Sequence, residues 1–389
     1  MDDLLSKVVS LGNGNPYLDR DSYRFPAVRG IQANKEYYVS MCPLGLVPVI
    51  LGHQGMCSNP ESRAQRTLNR ARIPIIASYL TNNPKSYVLT PLVASVDGYI
   101  VFEPSGHDPD HYRIGWLKIP VVASIVLNDG QHRAAAIERA ITEKPDLVDE
   151  TIPIVFFLDL GLERSQQIFA DINRHAVRPN TSLNVLYDRR DVTAKIAMEV
   201  FQKISVFANF TETEKSSMSL SSPKVFTLSG IYHATKELLT RKGSWPLEEK
   251  AHAAIDYWSE VEKNMGPWVR LKKGEISAQE LRSDYVCGHT MVLIAIGRIG
   301  AHLLEEHTFD WKRRLTAFER IDWRRSNASL WEGRLVIGGQ LVNSRSNLVL
   351  ITNVIKKELG LPLTPEEIAA ETAFMSPREI RGGLNGNDN

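Results

Sequence analysis

Val121-Val122-Ala123-Ser124-Ile125-Val126-Leu127 is an apolar, β-branched run, and the residues behind it, Asn128-Asp129-Gly130-Gln131-His132-Arg133, are polar apart from one glycine. Ala134-Ala135-Ala136-Ile137-Glu138-Arg139-Ala140 follows at once. Pro120 in front and Asp-Gly behind bound the run as a buried strand. The alanine-rich segment reads as a helix. A polar turn between a buried strand and a helix presents backbone N–H groups that nothing in the helix satisfies, and such a place attracts anions, phosphate above all. Gly130 allows close approach, Arg133 offers a planar fork of donors, and His132 can give or take a proton. The competing reading is that Asp129 caps the helix and Gly130 relieves the turn. Gln131, His132 and Arg133 have no packing reason to share one turn, which favours a site for a nucleotide or a nucleic-acid backbone.

Length allows two or three domains or one large composite, and 43% hydrophobic residues support a core. Basic and acidic side chains balance at 46 and 45, so a nucleic-acid surface must be a local patch. Cys42, Cys57 and Cys287 are an odd, widely spaced set. They argue against a disulfide framework and fit a reducing cytoplasm. The first twenty residues lack a basic start and a long apolar core, so no signal peptide is expected. The most apolar window, Met291 to Ile296, stops at Arg298, and no membrane span or membrane partner is expected.

Residues 1–22 read as a loose arm, and short β-rich runs fill Tyr23 to Val49. Pro74 starts a helix that ends near Asn82-Asn83-Pro84. Tyr87 to Val96 reads as a strand at a sheet edge because Pro91 cannot donate to a ladder. Asp97-Gly98 then makes a hairpin into Tyr99 to Phe102. Strands follow at Ile114 to Ile119 and Ile154 to Leu158, with helices at Glu163 to about His175 and Thr193 to Phe207. Residues 211–224 read as an exposed linker. Beyond it helices are expected at Ser229 to Arg241, Leu247 to Glu262, Ala278 to Val286 and Met291 to Glu306. Residues 371–389 read as a disordered tail.

A second polar constellation is Phe169-Ala-Asp171-Ile-Asn173-Arg174-His175-Ala-Val-Arg178-Pro179-Asn180. Asp171 and Asn173 could ligate Mg²⁺ or position water, and Arg174 and Arg178 could bind phosphate. Equally, this is a helix C-terminus whose basic residues complement the dipole. His107-Asp-Pro-Asp-His111 reads as a polar loop, and Cys42, His53 and Cys57 lack zinc spacing, so no metal site is assigned.

The two constellations together resemble the DGQHR-domain group. Phe169-Ala-Asp-Ile-Asn-Arg-His-Ala-Val-Arg-Pro-Asn-Thr-Ser-Leu-Asn-Val-Leu-Tyr-Asp188 resembles the DndB family more closely. So do Tyr23-Arg-Phe-Pro-Ala-Val-Arg-Gly30, Arg63-Ala-Gln-Arg-Thr-Leu-Asn-Arg-Ala-Arg72, Gly333-Arg-Leu-Val-Ile-Gly-Gly339 and Leu363-Thr-Pro-Glu-Glu367, so the resemblance spans roughly residues 23 to 370. It implies a regulatory partner of bacterial DNA phosphorothioation, which replaces a phosphate oxygen with sulfur. The turn also resembles the phosphate loop of ParB and sulfiredoxin proteins and the Asp-Gly-Gln-x-Arg of GmrS-type restriction proteins. Gln131 stands where sulfiredoxins carry cysteine and ParB proteins an acid. That excludes thiol chemistry at the turn and weakens a carry-over of nucleotide hydrolysis.

Lys312, Arg313, Arg314, Arg320, Arg324, Arg325 and Arg345 cluster late in the chain, interleaved with Trp311, Phe318, Trp323 and Trp331. Arg63, Arg66, Arg70 and Arg72 form a second basic group. Such mixtures suit phosphate contact and base stacking, or else are a solvated face over core tryptophans. The DndB resemblance, which implies promoter-DNA binding, supports contact through Arg66, Arg70, Arg313, Arg314, Arg324 and Arg325.

The expected fold is therefore α/β over residues 23–210, a ParB/sulfiredoxin-like core, followed by a mainly helical domain over 225–370. The expected function is DNA-binding regulation of a phosphorothioate modification gene cluster in the cytoplasm. The rival is a component that binds or hydrolyses a nucleoside triphosphate with Mg²⁺ as cofactor. In that reading Asp129, Gly130, Gln131, His132, Arg133 and Arg174 hold phosphate, and Asp171 and Asn173 are catalytic. A scaffold docking on other phosphorothioation proteins is a third reading, and a homo-oligomer stays open.

Overall fold

The computed structural model describes residues 17–19, 21–51, 68–108, 111–158, 167–168, 170–172, 180–219, 221–342 and 344–382. It divides into two compact units, Met1–Val177 and Arg178–Asn389.

In the first unit eight strands form one sheet: β1 (Leu18–Asp19), β2 (Ser22–Gln32), β3 (Lys35–Pro43), β4 (Leu92–Asp97), β5 (Val101–Pro104), β6 (Ile114–Pro120), β7 (Ser124–Asp129) and β8 (Thr151–Leu158). Seven run in the order β5-β6-β2-β3-β8-β4-β7, and β1 pairs with the start of β2. The β4–β8 pair is parallel and the other pairs are antiparallel. Alternate side chains point inward, as the two-residue period of a strand requires. Phe25 and Ala27, Tyr38 and Cys42, Leu92, Ala94 and Val96, and Ile152, Ile154 and Phe156 are buried this way. Helices α1 (Val47–Leu51), α2 (Arg72–Asn82) and α3 (Gln131–Glu143) add Val47, Ile50, Ala77, Leu80, Ile137 and Ile141 to the same core.

Two short connectors decide the shape of this sheet. Laid flat in the observed order, β4 and β5 would stand five strand spacings apart, about 24 Å. Only Gly98, Tyr99 and Ile100 join them, so four Cα steps must cover the gap, at most about 15 Å. Residues 121–123 set the same limit for β6 and β7. The sheet must therefore curl until its ends approach. A Cβ placed on Gly98 would lie 3.3 Å from the Cβ of Ala123, so the connectors touch there.

This topology departs from several expectations. Asp97-Gly98 is not a hairpin, because β4 pairs with β7 and β8 while β5 pairs with β6. Gly98, with φ 141°, turns the chain across the closure instead. Pro91 precedes β4, so the strand needs no edge position, and it lies between β8 and β7. The strand expected from Val121 begins at Ser124 and includes Asp129. Val121 and Val122 are exposed, because residues 121–123 serve as the crossing. The expected arm already contains β1 and the start of β2.

The second unit is mainly helical, as expected: α4 (Thr181–Tyr187), α5 (Val192–Lys203), α6 (Ser205–Phe210), α7 (Leu228–Leu238), α8 (Leu247–Asn264), α9 (Gly266–Lys272), α10 (Ala278–Asp284), α11 (Thr290–Glu306), α12 (Trp311–Leu315), α13 (Ala328–Trp331), α14 (Arg345–Glu358) and α15 (Pro365–Gly382). Two small ribbons pair β9 (Thr211–Glu212) with β10 (Phe226–Thr227), and β11 (Val336–Ile337) with β12 (Gln340–Leu341). Phe207 meets Phe226, Trp258 and Trp268 edge-on at 5.0 to 5.4 Å.

The α/β region was expected to reach residue 210, but Ile196, Val200, Ile204, Val206 and Phe207 belong to the helical core. The division falls at Val177/Arg178 because these apolar faces pack there. The single helix expected over 193–207 breaks at Ile204, where Ser205 Oγ and the Val206 N–H both donate to Glu262. The expected linker contains β9, with Thr211 buried. The tail expected to be disordered from 371 is helical to Gly382. Among the described residues no helix is long and apolar enough to cross a membrane.

Helix α11 approaches α7 closely through Gly297, where a Cβ would lie 2.2 Å from the Ala234 carbonyl oxygen. Alanine is the better helix former by about 1 kcal/mol. Overpacking costs about 1–3 kcal/mol, and a backbone oxygen cannot swing aside. Gly297→Ala is therefore expected to destabilise the second unit on balance, read as a lower urea midpoint at unchanged slope.

Candidate functional site

The turn after β7 is built as the motif suggests, but its side chains are occupied. Gly130 stands at the N-cap of α3 with φ 105°, and a Cβ there would lie 2.4 Å from Leu92 Cδ2, so glycine is required twice over. No side chain caps the helix, so Asp129 is not the cap. Its carboxylate accepts from Arg133 Nη2 at 2.7 Å, and the same nitrogen donates to the Pro91 carbonyl at 3.0 Å. Arg133 thus ties the end of β7 to the entry of β4, while its Nε is buried without a hydrogen-bond partner. Gln131 folds back onto the Leu127 and Asn128 carbonyls at 3.2 and 3.4 Å. Beneath them Ser95 Oγ donates to buried Asn128 Oδ1 at 3.0 Å.

His132 Nε2 accepts from the Asn69 backbone N–H at 2.9 Å. This fixes the protonation pattern, since an accepting Nε2 carries no proton. It also brings exposed Arg70, a neighbour of Asn69, to the rim of the turn. Asn69 was not found from sequence, because nothing in a lone asparagine marks a contact 63 residues away. The turn can therefore offer the uncapped amides of α3 and the inner edge of Arg133 to an anion.

Asp171 is exposed and accepts from Gln167 Nε2 at 2.7 Å. Asn173, Arg174 and Arg66 lie outside the described residues, as does most of the helix expected over 163–175. Among the described residues no group of three or more His, Cys, Asp or Glu side chains is placed to hold a metal. Burial pushes the Cys42 and Cys287 thiols well up.

In the second unit the late aromatic residues are core. Trp311, Phe318, Trp323 and Trp331 are 8%, 0%, 2% and 0% exposed, so none can stack on a base. Trp323 and Trp331 stack on each other at 5.7 Å, and their indoles donate to backbone carbonyls. The basic residues divide into two sets. Lys312 pairs with Asp256 at 2.8 Å, and Asp310 holds Arg314 at 3.0 Å and Arg313 at 3.4 Å. Arg320 and Arg324 are exposed.

Arg324 and Arg325 line a groove of about 560 Å³ with Asp284, Tyr285, Ser326 and Glu332. Tyr285 and Arg324 form an isolated antiparallel bridge, and the Arg325 N–H donates to the Asp284 carbonyl at 2.7 Å. The Arg325 guanidinium reaches across to the Gly339 carbonyl. Next to this, burial and then the Arg325 charge bring the His289 imidazole down to about 4. The groove residues outside the arginine cluster were not singled out from sequence, since they come from three separated segments.

The family model for DndB, described as DNA-sulfur modification-associated, matches residues 25–362. The matched span contains both the turn and the groove. No curated protein and no solved structure matches the chain.

Arg133→Ala would leave the Asp129 carboxylate and the Pro91 carbonyl without their donor. A loss of about 1–3 kcal/mol is expected, nearer the lower figure because the pair is partly exposed. Urea unfolding of the variant checks this.

The histidines set a pH dependence. His289 is held low in the folded state, and burial also lowers His233 and His302. As pH falls from about 6.5 towards 4, the unfolded chain binds protons that the native state refuses, so stability falls over that window. His289→Asn should flatten the decline by up to about 1.4 kcal/mol per pH unit, read from urea midpoints at successive pH values.

Proposed function

We propose that this chain, which belongs to the DndB family of DNA-sulfur modification-associated proteins, is a DNA-binding regulator of a phosphorothioate modification gene cluster. The observation that carries the proposal is the exposed Arg324 guanidinium at the mouth of the groove, with Arg325 beside it. Near-zero net charge means that DNA affinity must come from such a local patch. Because the nearby tryptophans are buried, contact runs through arginine to phosphate rather than through stacking. Asp284 and Glu332 give the groove an acidic side that can accept from base amino groups, while a phosphate is repelled there. Promoter DNA is the partner this reading names, and Arg313 and Arg320 extend the basic surface.

Two observations favour a second reading, in which the turn at Asp129 binds a nucleotide phosphate. Helix α3 has no capping side chain, and Arg133 Nε lacks a partner. Asp171 with Asn173 would then supply the metal or water contacts of a hydrolase.

Binding of promoter DNA and of labelled nucleoside triphosphates, measured side by side, separates the two. Each lost phosphate contact lowers the log–log salt slope of DNA binding by about 0.9. The double variant Arg324→Ala/Arg325→Ala is expected to lower it by roughly 1.8 with folding intact. An unchanged slope rejects these residues as phosphate contacts. Nucleotide turnover that Asp171→Asn abolishes would favour the hydrolase.

A further inference from the structure

The wall of the groove opposite Arg324 is the segment from Glu332 to Leu341. Glu332, Val336 and Gly339 line the groove, and the Gly339 carbonyl receives Arg325. This wall is held in part by backbone bonds, the Gly333 N–H to the Val336 carbonyl and the Val342 N–H to the Leu335 carbonyl among them, and by buried Leu335 and Val336. Strands β11 and β12 have two residues each, and Gly333, Gly338 and Gly339 all take positive φ. Glycine in such conformations gives up much freedom on ordering, so the ordered form of the segment gains from a further anchor.

One such anchor is Arg334, only 5% exposed. Its guanidinium meets both carboxylate oxygens of Glu371 on α15, Nη1 donating to Oε2 at 2.8 Å and Nη2 to Oε1. Glu371 also accepts from Lys357 Nζ at 2.9 Å and Asn353 Nδ2 at 3.2 Å, both on α14. Arg334 lies over the Phe374 ring at 4.3 Å. Burial pushes the Glu371 carboxyl up, but hydrogen bonds from Arg334, Lys357 and Asn353 outweigh it and bring it to about 2. The carboxylate is therefore ionised at any pH near neutral. A second ion pair, Lys356 Nζ to both oxygens of Glu367 at 2.8 Å, fastens the same helix.

Over residues 365–375 helix α15 shows no continuous apolar stripe to dock by. Glu371 is its buried residue over 365–375, while Ile368 and Met375 are 52% and 42% exposed. Charge and hydrogen bonds seat the helix, and Arg334 links it to the groove wall. It also lies beyond the residues the family model matches.

We infer that α15 is a clamp on the groove: seated, its Glu371 holds Arg334 and keeps the Glu332–Leu341 wall in the form that receives Arg325. Unseated, the wall loosens and the groove loses its grip on DNA. The effect on DNA rests on the proposed use of this groove. The effect on the wall does not. Arg334 and Glu371 are positioning residues and need not touch DNA.

The test is hydrogen exchange on the full chain, with affinity for a duplex carrying its own promoter measured in parallel. In Glu371→Gln the amides of residues 333–342 should exchange at least about tenfold faster, a change in local opening of about 1.4 kcal/mol. Those of α11 should be unchanged, and Kd for the duplex should rise about fivefold or more. Lys357→Ala, at an exposed position, should act in the same direction more weakly. Wild-type protection of 333–342 in Glu371→Gln overturns the clamp. If that variant does not fold, wild-type protection in Lys357→Ala overturns it. Arg325→Ala serves as the separate control. If it leaves duplex affinity unchanged, the groove is not the DNA site, and the exchange data alone then decide the clamp.

Discussion

Closure of the curled sheet is the constraint on which the first unit depends. Three residues after β4 and three after β6 must each join strands that a flat sheet would hold far apart. Strand β7 pairs with β4 at one end of that sheet, and the turn after β7 opens against the entry of β4. Arg133 then bridges Asp129 and Pro91, and Gly130 lies against Leu92 where no side chain would fit. The conspicuous motif thus fastens the β4–β7 pair before it serves any ligand. Its remaining capacity is the set of amides at the start of α3 and one orphaned edge of a guanidinium.

The second unit reaches its arrangement by another route. Its tryptophans fill the core, and the arginines between them along the chain are turned outward by the short helices and turns of residues 311–331. Burial of Trp323 and Trp331 fixes the backbone from which Arg324 and Arg325 project. A buried ion pair ties the opposite wall of the groove to α15. Such a pair is a weak source of net stability, because desolvation offsets much of the attraction, but removing one partner is costly. It therefore positions the wall more than it stabilises the fold.

The elements were largely legible in the sequence because their periods are local. Strands β6 and β8 and helices α8 and α11 formed within a few residues of their expected bounds, and the strand–turn–helix at Asp129 formed with small shifts in its own. Family membership was legible too, since the long segments around Phe169 to Asp188 and Gly333 to Gly339 are specific. Pairing order was not legible: nothing within Leu92 to Asp97 says that it joins β8 and β7 rather than its neighbour β5. The unit boundary was missed because the apolar face of α5 does not name the core it enters. The tryptophan and arginine mixture was ambiguous because adjacency along a chain does not give direction. The link from Arg334 to Glu371 spans 37 residues and leaves no local pattern.

On the proposed function, the second unit engages DNA through the groove at Arg324 and Arg325. Hydrogen exchange with and without promoter duplex at moderate salt tests it most directly. The duplex is expected to slow exchange at residues 283–286 and 324–339 and to leave residues 128–135 unchanged. Protection confined to 128–135, with none around the groove, would contradict it.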